Sequence, residues 1–126
     1  MSFIRRKPRV LLLDDDPAMQ RLVSMILRRD GYRVDVVSEA SQALKLLATS
    51  DYGALLLDLM TPTEGGMTVI KHLQKMDAPM LQRVILVTGS PESLLKSIAK
   101  DVSAVVRKPF DSKELREVVA RVVAAD

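Results

Sequence analysis

Short apolar stretches alternate along this chain with longer segments in which apolar residues recur at helical spacing. Residues 10–13 and 54–57 are continuously apolar, which is typical of strands buried on both faces. Between them, positions 19, 22, 23, 26 and 27 are apolar, as on one face of a helix. The alternation predicts strands over residues 9–14, 32–37, 54–58, 83–88 and 102–107.

Capping signals mark where most of the predicted helices begin. Asp16 and Ser90 are each followed by Pro, the pattern of an N-cap with Pro at the first helical position. Ser38 is expected to cap the second helix. Asp111 and Glu114 form a capping-box pattern before the last helix. These signals agree with the periodicity and predict a helix after every strand.

The order of elements predicts a doubly wound α/β fold. Parallel strands joined by right-handed crossovers would form a five-stranded sheet with helices on both faces, the flavodoxin-like (βα)5 arrangement. A length of 126 residues suits one such domain. We assign residues 9–126 to this domain and residues 1–8 to a basic N-terminal tail.

Composition narrows the classes of function. The chain has no Cys, which excludes disulfides and thiol chemistry and suits a reducing compartment. Its apolar runs are too short to span a membrane, and no apolar stretch of signal-peptide length follows the basic N-terminus. With two Phe, two Tyr and no Trp, the pattern of a single-strand nucleic-acid binder is missing. We therefore expect a cytoplasmic protein without membrane or direct nucleic-acid contacts.

Residues that can carry chemistry stand at the carboxyl ends of four predicted strands. They are Asp14 and Asp15 after the first, Asp58 at the third, Thr88 at the fourth and Lys108 after the fifth. Because parallel strands end at one edge of the sheet, these side chains should meet there. Clustered carboxylates repel unless a cation neutralises them, and oxygen ligands without His or Cys favour Mg²⁺ or Mn²⁺.

Each acid taken alone has a simpler interpretation. Asp14 and Asp15 could merely meet the dipole of the following helix, and Asp58 could end a strand by chance. Asp16, beside Pro17, is assigned mainly to the helix cap. Matching chemistry at four separate strand ends nevertheless favours a shared site.

Four motifs in order resemble the receiver domain of bacterial response regulators. VLLLDDD (residues 10–16) resembles the family's acidic pair, and LLLDLMTP (residues 55–62) resembles its phosphoacceptor motif. VILVTGS (residues 84–90) is similar to the strand that carries the hydroxyl, and VRKPF (residues 106–110) is similar to the Lys-Pro-Phe signature. The resemblance extends over roughly residues 9–125, essentially the whole chain.

The resemblance implies a role for each acid at the strand ends. Asp58 would be the phosphoacceptor, taking a phosphoryl group from a phosphohistidine. Asp14 and Asp15 would hold Mg²⁺ together with a carboxylate oxygen of Asp58 and the backbone carbonyl of Met60. The chemistry would be nucleophilic attack by a carboxylate while cations neutralise the charge on the phosphoryl oxygens.

The resemblance also implies the switch and the partners. Lys108 would bind the phosphoryl oxygens and pair with Asp58 before modification, and Thr88 would move to hydrogen-bond the phosphoryl group. The donor would be a sensor histidine kinase or a phosphotransfer protein. Output would pass to an unknown downstream protein or through an effector domain, from a monomer or weak homodimer. Such a domain is not an enzyme in the usual sense, because it catalyses only its own phosphorylation and dephosphorylation.

Several positions depart from the family's pattern. Val105 stands where a Tyr or Phe often swings inward with the Thr, so the aromatic readout is in doubt. The stretch between Thr88 and Lys108 is short, which predicts a shortened or shifted fourth helix. Met60 and Ser90 occupy positions that influence phosphoryl hydrolysis in the family. The only His, at position 72, is expected to be a solvated surface residue.

Two other functions are alternatives. A phosphatase that forms an aspartyl-phosphate usually has a second Asp two residues after the nucleophile, where this chain has Met60, and usually needs a cap domain. A receiver-like interaction module that no longer takes phosphate is the other alternative. A P-loop nucleotide enzyme is excluded because the G-x-x-x-x-G-K-[ST] motif is missing.

Overall fold

The computed structural model describes residues 7–59 and 65–125. Its strands are β1 (Arg9–Leu13), β2 (Arg33–Val37), β3 (Ala54–Leu57), β4 (Val84–Thr88) and β5 (Ala104–Arg107). Its helices are α1 (Pro17–Arg29), α2 (Ala40–Thr49), α3 (Gly66–Met76), α4 (Glu92–Leu95) and α5 (Ser112–Ala124). Short 3-10 segments span Ala78–Arg83 and Ala99–Asp101. The alternation of strands and helices is the predicted one.

All strand pairs are parallel, and the sheet has the order β2-β1-β3-β4-β5. The order reverses between β1 and β3, since the chain first steps outward to β2 and then returns past β1. In doubly wound sheets the crevice at such a reversal, beyond the carboxyl ends of the strands, is the usual ligand site. Asp14 and Asp58 directly follow the two strands that flank this point. The flavodoxin-like five-stranded sheet is therefore confirmed.

Successive strand residues point to opposite faces of the sheet, and each face carries its own hydrophobic core. In β3, Leu55 and Leu57 pack with the buried residues of α2 and α3, whereas Ala54 and Leu56 pack with those of α1 and α5. All four of these residues are fully buried. The double burial explains why the central strands are continuously apolar and why they form the rigid floor under the site.

Two of the four predicted helix caps are confirmed. Asp16 caps α1 by accepting a hydrogen bond from the Ala18 amide at 3.0 Å, and Asp111 caps α5 by accepting from the Glu114 amide at 2.8 Å. The prediction that Ser38 caps α2 is wrong, because the N-cap is Glu39. The side chain of Gln42 accepts a hydrogen bond from the backbone amide of Glu39, so these two residues form a capping box. The prediction that Ser90 caps α4 is also wrong, because the N-cap is Pro91.

The segment between β4 and β5 is reduced, as the short spacing predicts. Helix α4 has four residues and is followed by the three-residue 3-10 segment. Strand β5 begins at Ala104 and not at Val102, although Val102 is buried against the core. None of the helices that the structure describes is long and apolar enough to cross a membrane.

Candidate functional site

The site begins at the end of β1, where Asp14 is held rigidly. Its amide donates to the Val37 carbonyl at 3.2 Å, which extends the β1–β2 ladder by one residue. Its carboxylate Oδ1 accepts from the Asp16 amide at 2.9 Å, and its carbonyl accepts from the side chain of Gln20 at 2.5 Å. The Asp14 residue is 1% exposed. A buried carboxylate therefore faces the crevice in one fixed orientation.

Asp58 occupies the matching position after β3. Its amide donates to the Leu13 carbonyl at 3.0 Å, and its carbonyl accepts from the Gly66 amide at 2.7 Å. A Cβ at Gly66 would lie 2.8 Å from the Asp58 carbonyl oxygen and 2.9 Å from Leu57 Cβ. The start of α3 therefore packs against the backbone of Asp58 in a way that only Gly permits. The sequence showed a Gly-Gly turn here but not this close approach.

Lys108 reaches the two buried acids from the end of β5. Its Nζ donates to Asp14 Oδ2 at 2.9 Å and to Asp58 Oδ2 at 3.1 Å. The expected pairing with Asp58 is present, and the shorter bond to Asp14 was not foreseen. Burial acts to lower the pKa of Lys108, but its hydrogen bonds and charge interactions with Asp14 and Asp58 outweigh this and raise the pKa. The ammonium is therefore charged at neutral pH.

Thr88 also contacts Asp58. Its Oγ1 donates to Asp58 Oδ1 at 2.9 Å and lies 2.8 Å from Ser90 Oγ. The residue is fully buried at the end of β4. The Thr88 hydroxyl already contacts the unmodified carboxylate. The movement of Thr88 to hydrogen-bond a phosphoryl group stays a prediction. Ser90, two residues after Thr88, is also buried and contacts Thr88 Oγ1 through its hydroxyl and its amide.

The acidic cluster has the composition of a hard-cation site. Asp14, Asp15 and Asp58 each offer a carboxylate oxygen, and these oxygens lie within 4.8 Å of one another. Asp15 is half-buried, unlike the other two acids, and so leaves an approach from solvent. Carboxylates at this separation suit Mg²⁺, which is bound by few carboxylates and keeps waters. The backbone carbonyl of Met60, the expected fourth ligand, lies outside the described residues.

The remaining positions singled out from the sequence lie away from this cluster. Val105, in β5, is half-buried and packs against the core on the α2–α3 face. It contributes no aromatic ring to the site. His72 is exposed on α3, which agrees with a surface role.

Comparison with protein-family models identifies the family of this chain. The model, described as the response regulator receiver domain, matches residues 10–120. The chain is a response regulator receiver domain. It is thus a signalling domain of a two-component system, and the phosphatase alternative is set aside.

Relatives of this receiver domain include a response regulator and a transcriptional regulatory protein. The DNA-binding response regulator MtrA of Mycolicibacterium smegmatis is 33% identical over 123 residues, covering 94% of this chain and 50% of that protein. The uncharacterized transcriptional regulatory protein YkoG of Bacillus subtilis is 31% identical over 121 residues, covering 94% and 51%. The chain thus spans about half the length of these curated relatives.

One solved structure with the same fold contains bound ligands. The response regulator TrrA of Thermotoga maritima, solved in complex with Mg²⁺ and beryllofluoride, is 27% identical and has a TM-score of 0.77, with 90% of this chain and 97% of that one covered. The Mg²⁺ and beryllofluoride are ligands of TrrA.

Proposed function

We propose that this receiver domain accepts a phosphoryl group on Asp58. The observation that carries the proposal is the setting of this carboxylate. Asp58 is 7% exposed at the end of β3, with the Lys108 ammonium on one oxygen and the Thr88 hydroxyl on the other. Such an arrangement places a cation and a hydrogen-bond donor where the charge of a phosphoryl group would develop.

The bonds that form and break belong to Asp58 and the phosphodonor. A carboxylate oxygen of Asp58 attacks phosphorus, an O–P bond forms, and the P–N bond of a phosphohistidine breaks with its electron pair left on the imidazole. Lys108 compensates the added negative charge on the phosphoryl oxygens, and the Thr88 hydroxyl donates to them. The carboxylate is a nucleophile that the fold already holds in place, so the domain contributes mainly positioning and charge.

The acidic cluster is the proposed Mg²⁺ site. Asp14, Asp15 and Asp58 would hold the ion, together with the carbonyl of Met60 by resemblance to the family. When bound, Mg²⁺ supplies a second positive charge against the phosphoryl oxygens. The Mg²⁺ in the TrrA complex supports this choice, and Mn²⁺ fits the same oxygen donors.

The proposal extends to the partners. The phosphodonor is a sensor histidine kinase or a phosphotransfer protein, and the output passes by protein contact or through an effector domain. The DNA-binding activity named for MtrA belongs to that longer protein, and half of its length has no counterpart here.

Residues 9–126 are the proposed receiver unit and residues 1–8 a basic tail. The unit is proposed to act in the cytoplasm as a monomer or weak homodimer.

Mass spectrometry tests the acceptor assignment. Incubation with Mg²⁺ and acetyl phosphate should raise the mass of the parent by one phosphoryl group, and Asp58→Asn should abolish the increase because an amide is not a nucleophilic carboxylate. Asp51→Asn is the matched control, since Asp51 is an exposed acid that pairs with Arg83 near the opposite edge of the sheet. It should be labelled like the parent.

Two results would contradict the assignment. Labelling of Asp58→Asn at another residue would move the acceptor elsewhere. A parent that stays unlabelled with Mg²⁺ and acetyl phosphate would favour the interaction module that takes no phosphate.

A further inference from the structure

Ser90 is a buried polar residue beside the acceptor. It follows β4 by two positions and is 3% exposed. Its Oγ lies 2.8 Å from Thr88 Oγ1, and its backbone amide donates to the same oxygen at 3.2 Å. The hydroxyl and the amide of one residue therefore converge on the hydroxyl of another that contacts Asp58.

The direction of these hydrogen bonds follows from counting protons. A Thr hydroxyl has one proton, and an ionised carboxylate can only accept. Since Thr88 Oγ1 lies 2.9 Å from Asp58 Oδ1, its proton is directed to that oxygen. The lone pairs of Thr88 then accept from the Ser90 amide and hydroxyl. The chain of donors runs from Ser90 through Thr88 to Asp58.

These hydrogen bonds fix the orientation of the Thr88 hydroxyl. Turning Thr88 away from Asp58 would break the contacts with Ser90 as well as the contact with the carboxylate. Ser90 would then be left with a buried hydroxyl that lacks its partner, and such a group is costly in the interior. The inward rotamer of Thr88 is therefore stabilised before any phosphoryl group is present.

We propose that Ser90 is a positioning residue, which holds the Thr88 hydroxyl toward the acceptor so that phosphorylation needs no rotation of Thr88. The proposal rests on the proposed function of Asp58. When only a fraction of the molecules has the conformation that binds a ligand, the measured affinity is reduced by that fraction. Removing the Ser90 hydroxyl should therefore weaken binding of a phosphoryl mimic, although Ser90 acts on the mimic only through Thr88.

Binding of beryllofluoride in the presence of Mg²⁺ measures this effect. We expect Ser90→Ala and Ser90→Cys to weaken binding about three- to tenfold, the loss expected for one buried hydrogen bond. Ser90→Cys keeps a side chain of similar shape but offers a poor donor. Ser90→Thr keeps the hydroxyl and should retain most of the affinity. Titrations followed by nuclear magnetic resonance suit a chain without Trp.

The three-bond couplings about χ1 of Thr88 give a second readout, which a general packing defect would not reproduce. The parent without ligand should show a single rotamer, and Ser90→Ala and Ser90→Cys should show averaged values. In a Thr88→Ala background, Ser90→Ala should cause little further loss of affinity, because Ser90 acts through Thr88.

The outcomes separate this proposal from the function on which it rests. If the parent binds beryllofluoride and Ser90→Cys binds it equally well with a single Thr88 rotamer, only the role of Ser90 is overturned. An equal loss from Ser90→Ala with and without Thr88 also overturns it. If the parent does not bind beryllofluoride, the proposed function fails and the role of Ser90 fails with it.

Discussion

Lys108 shows at the scale of one residue how the site is balanced. Its ammonium contacts Asp14 and Asp58, both nearly buried, while its own side chain is 20% exposed. Two buried carboxylates without a cation would repel each other and lose solvation. The same charge that would meet a phosphoryl group therefore stabilises the unmodified site.

Lys108→Met should lower the free energy of unfolding by about 2 kcal/mol at neutral pH, because it leaves both carboxylates without their cation. The raised pKa of Lys108 means that its contribution is complete below about pH 10.5 and is lost as the pH rises through the folded-state value. The difference between parent and variant in urea unfolding should therefore shrink at strongly alkaline pH.

Lys113→Met is the matched control for this measurement. Lys113 lies on α5 with a side chain 82% exposed, and its ion pair with Glu117 has a separation of 4.0 Å. An exposed pair of this kind contributes little. A Lys108 variant as stable at neutral pH as the Lys113 variant would contradict the proposed charge balance.

Helix α4 is the shortest α-helix that the structure describes. It has four residues, and its hydrogen bonds include Leu95 N to Pro91 O at 3.2 Å and Lys96 N to Glu92 O at 2.9 Å. Helix formation is cooperative, so one turn gains little stability from its own hydrogen bonds. The segment is held mainly by Leu95 and Ile98, which are buried in the core.

Hydrogen exchange should therefore separate α4 from α5. The amides of Leu95 and Lys96 should exchange about ten- to a hundredfold faster than those of Val119 and Val122 in the thirteen-residue α5. Native-state exchange followed by nuclear magnetic resonance resolves these amides individually. Equal protection of the two helices would show that burial of Leu95 and Ile98 is enough to make α4 as stable as a long helix.

At the scale of the whole molecule, the site joins distant parts of the chain. Asp14 and Asp15 follow β1, Asp58 follows β3 and Lys108 follows β5, so a cation bound by the acids would connect separate elements. A ligand that binds only the folded state stabilises it by RT ln(1 + [L]/Kd), about 2.7 kcal/mol at one hundred times Kd.

Asp15→Ala tests this link between metal and stability. Thermal unfolding of the parent should shift to higher temperature with Mg²⁺, and the variant should lose most of that shift. Without metal the variant should be at least as stable as the parent, because one repelling carboxylate is gone while Lys108 still pairs with Asp14 and Asp58.

Asp51→Ala is the comparison for this experiment, since its carboxylate is exposed and belongs to an ion pair with Arg83. It should keep the full response to Mg²⁺. An Asp15 variant that still responds fully, or one that is much less stable than the parent without metal, would place the cation elsewhere or give Asp15 a structural role.

The sequence alone was enough for the order of the elements and for the group of residues at the site. Apolar runs at β1 and β3 indicate strands buried on both faces, and the helical spacing between them implies parallel crossovers. That topology gathers strand ends at one edge, so Asp14, Asp58 and Thr88 could be grouped without coordinates. The strands and helices follow from the local hydrophobic pattern, and the grouping of strand ends follows from the order of these elements.

The tertiary structure decided how those residues are connected. The bond from Lys108 to Asp14, the inward Thr88 with Ser90 behind it, and the space that only Gly66 leaves beside Asp58 all depend on how separate strand ends meet. Individual side-chain contacts of this kind leave no periodic trace in the chain. The physical reason is that side-chain packing fixes these contacts, whereas hydrophobic pattern fixes the elements that bring them together.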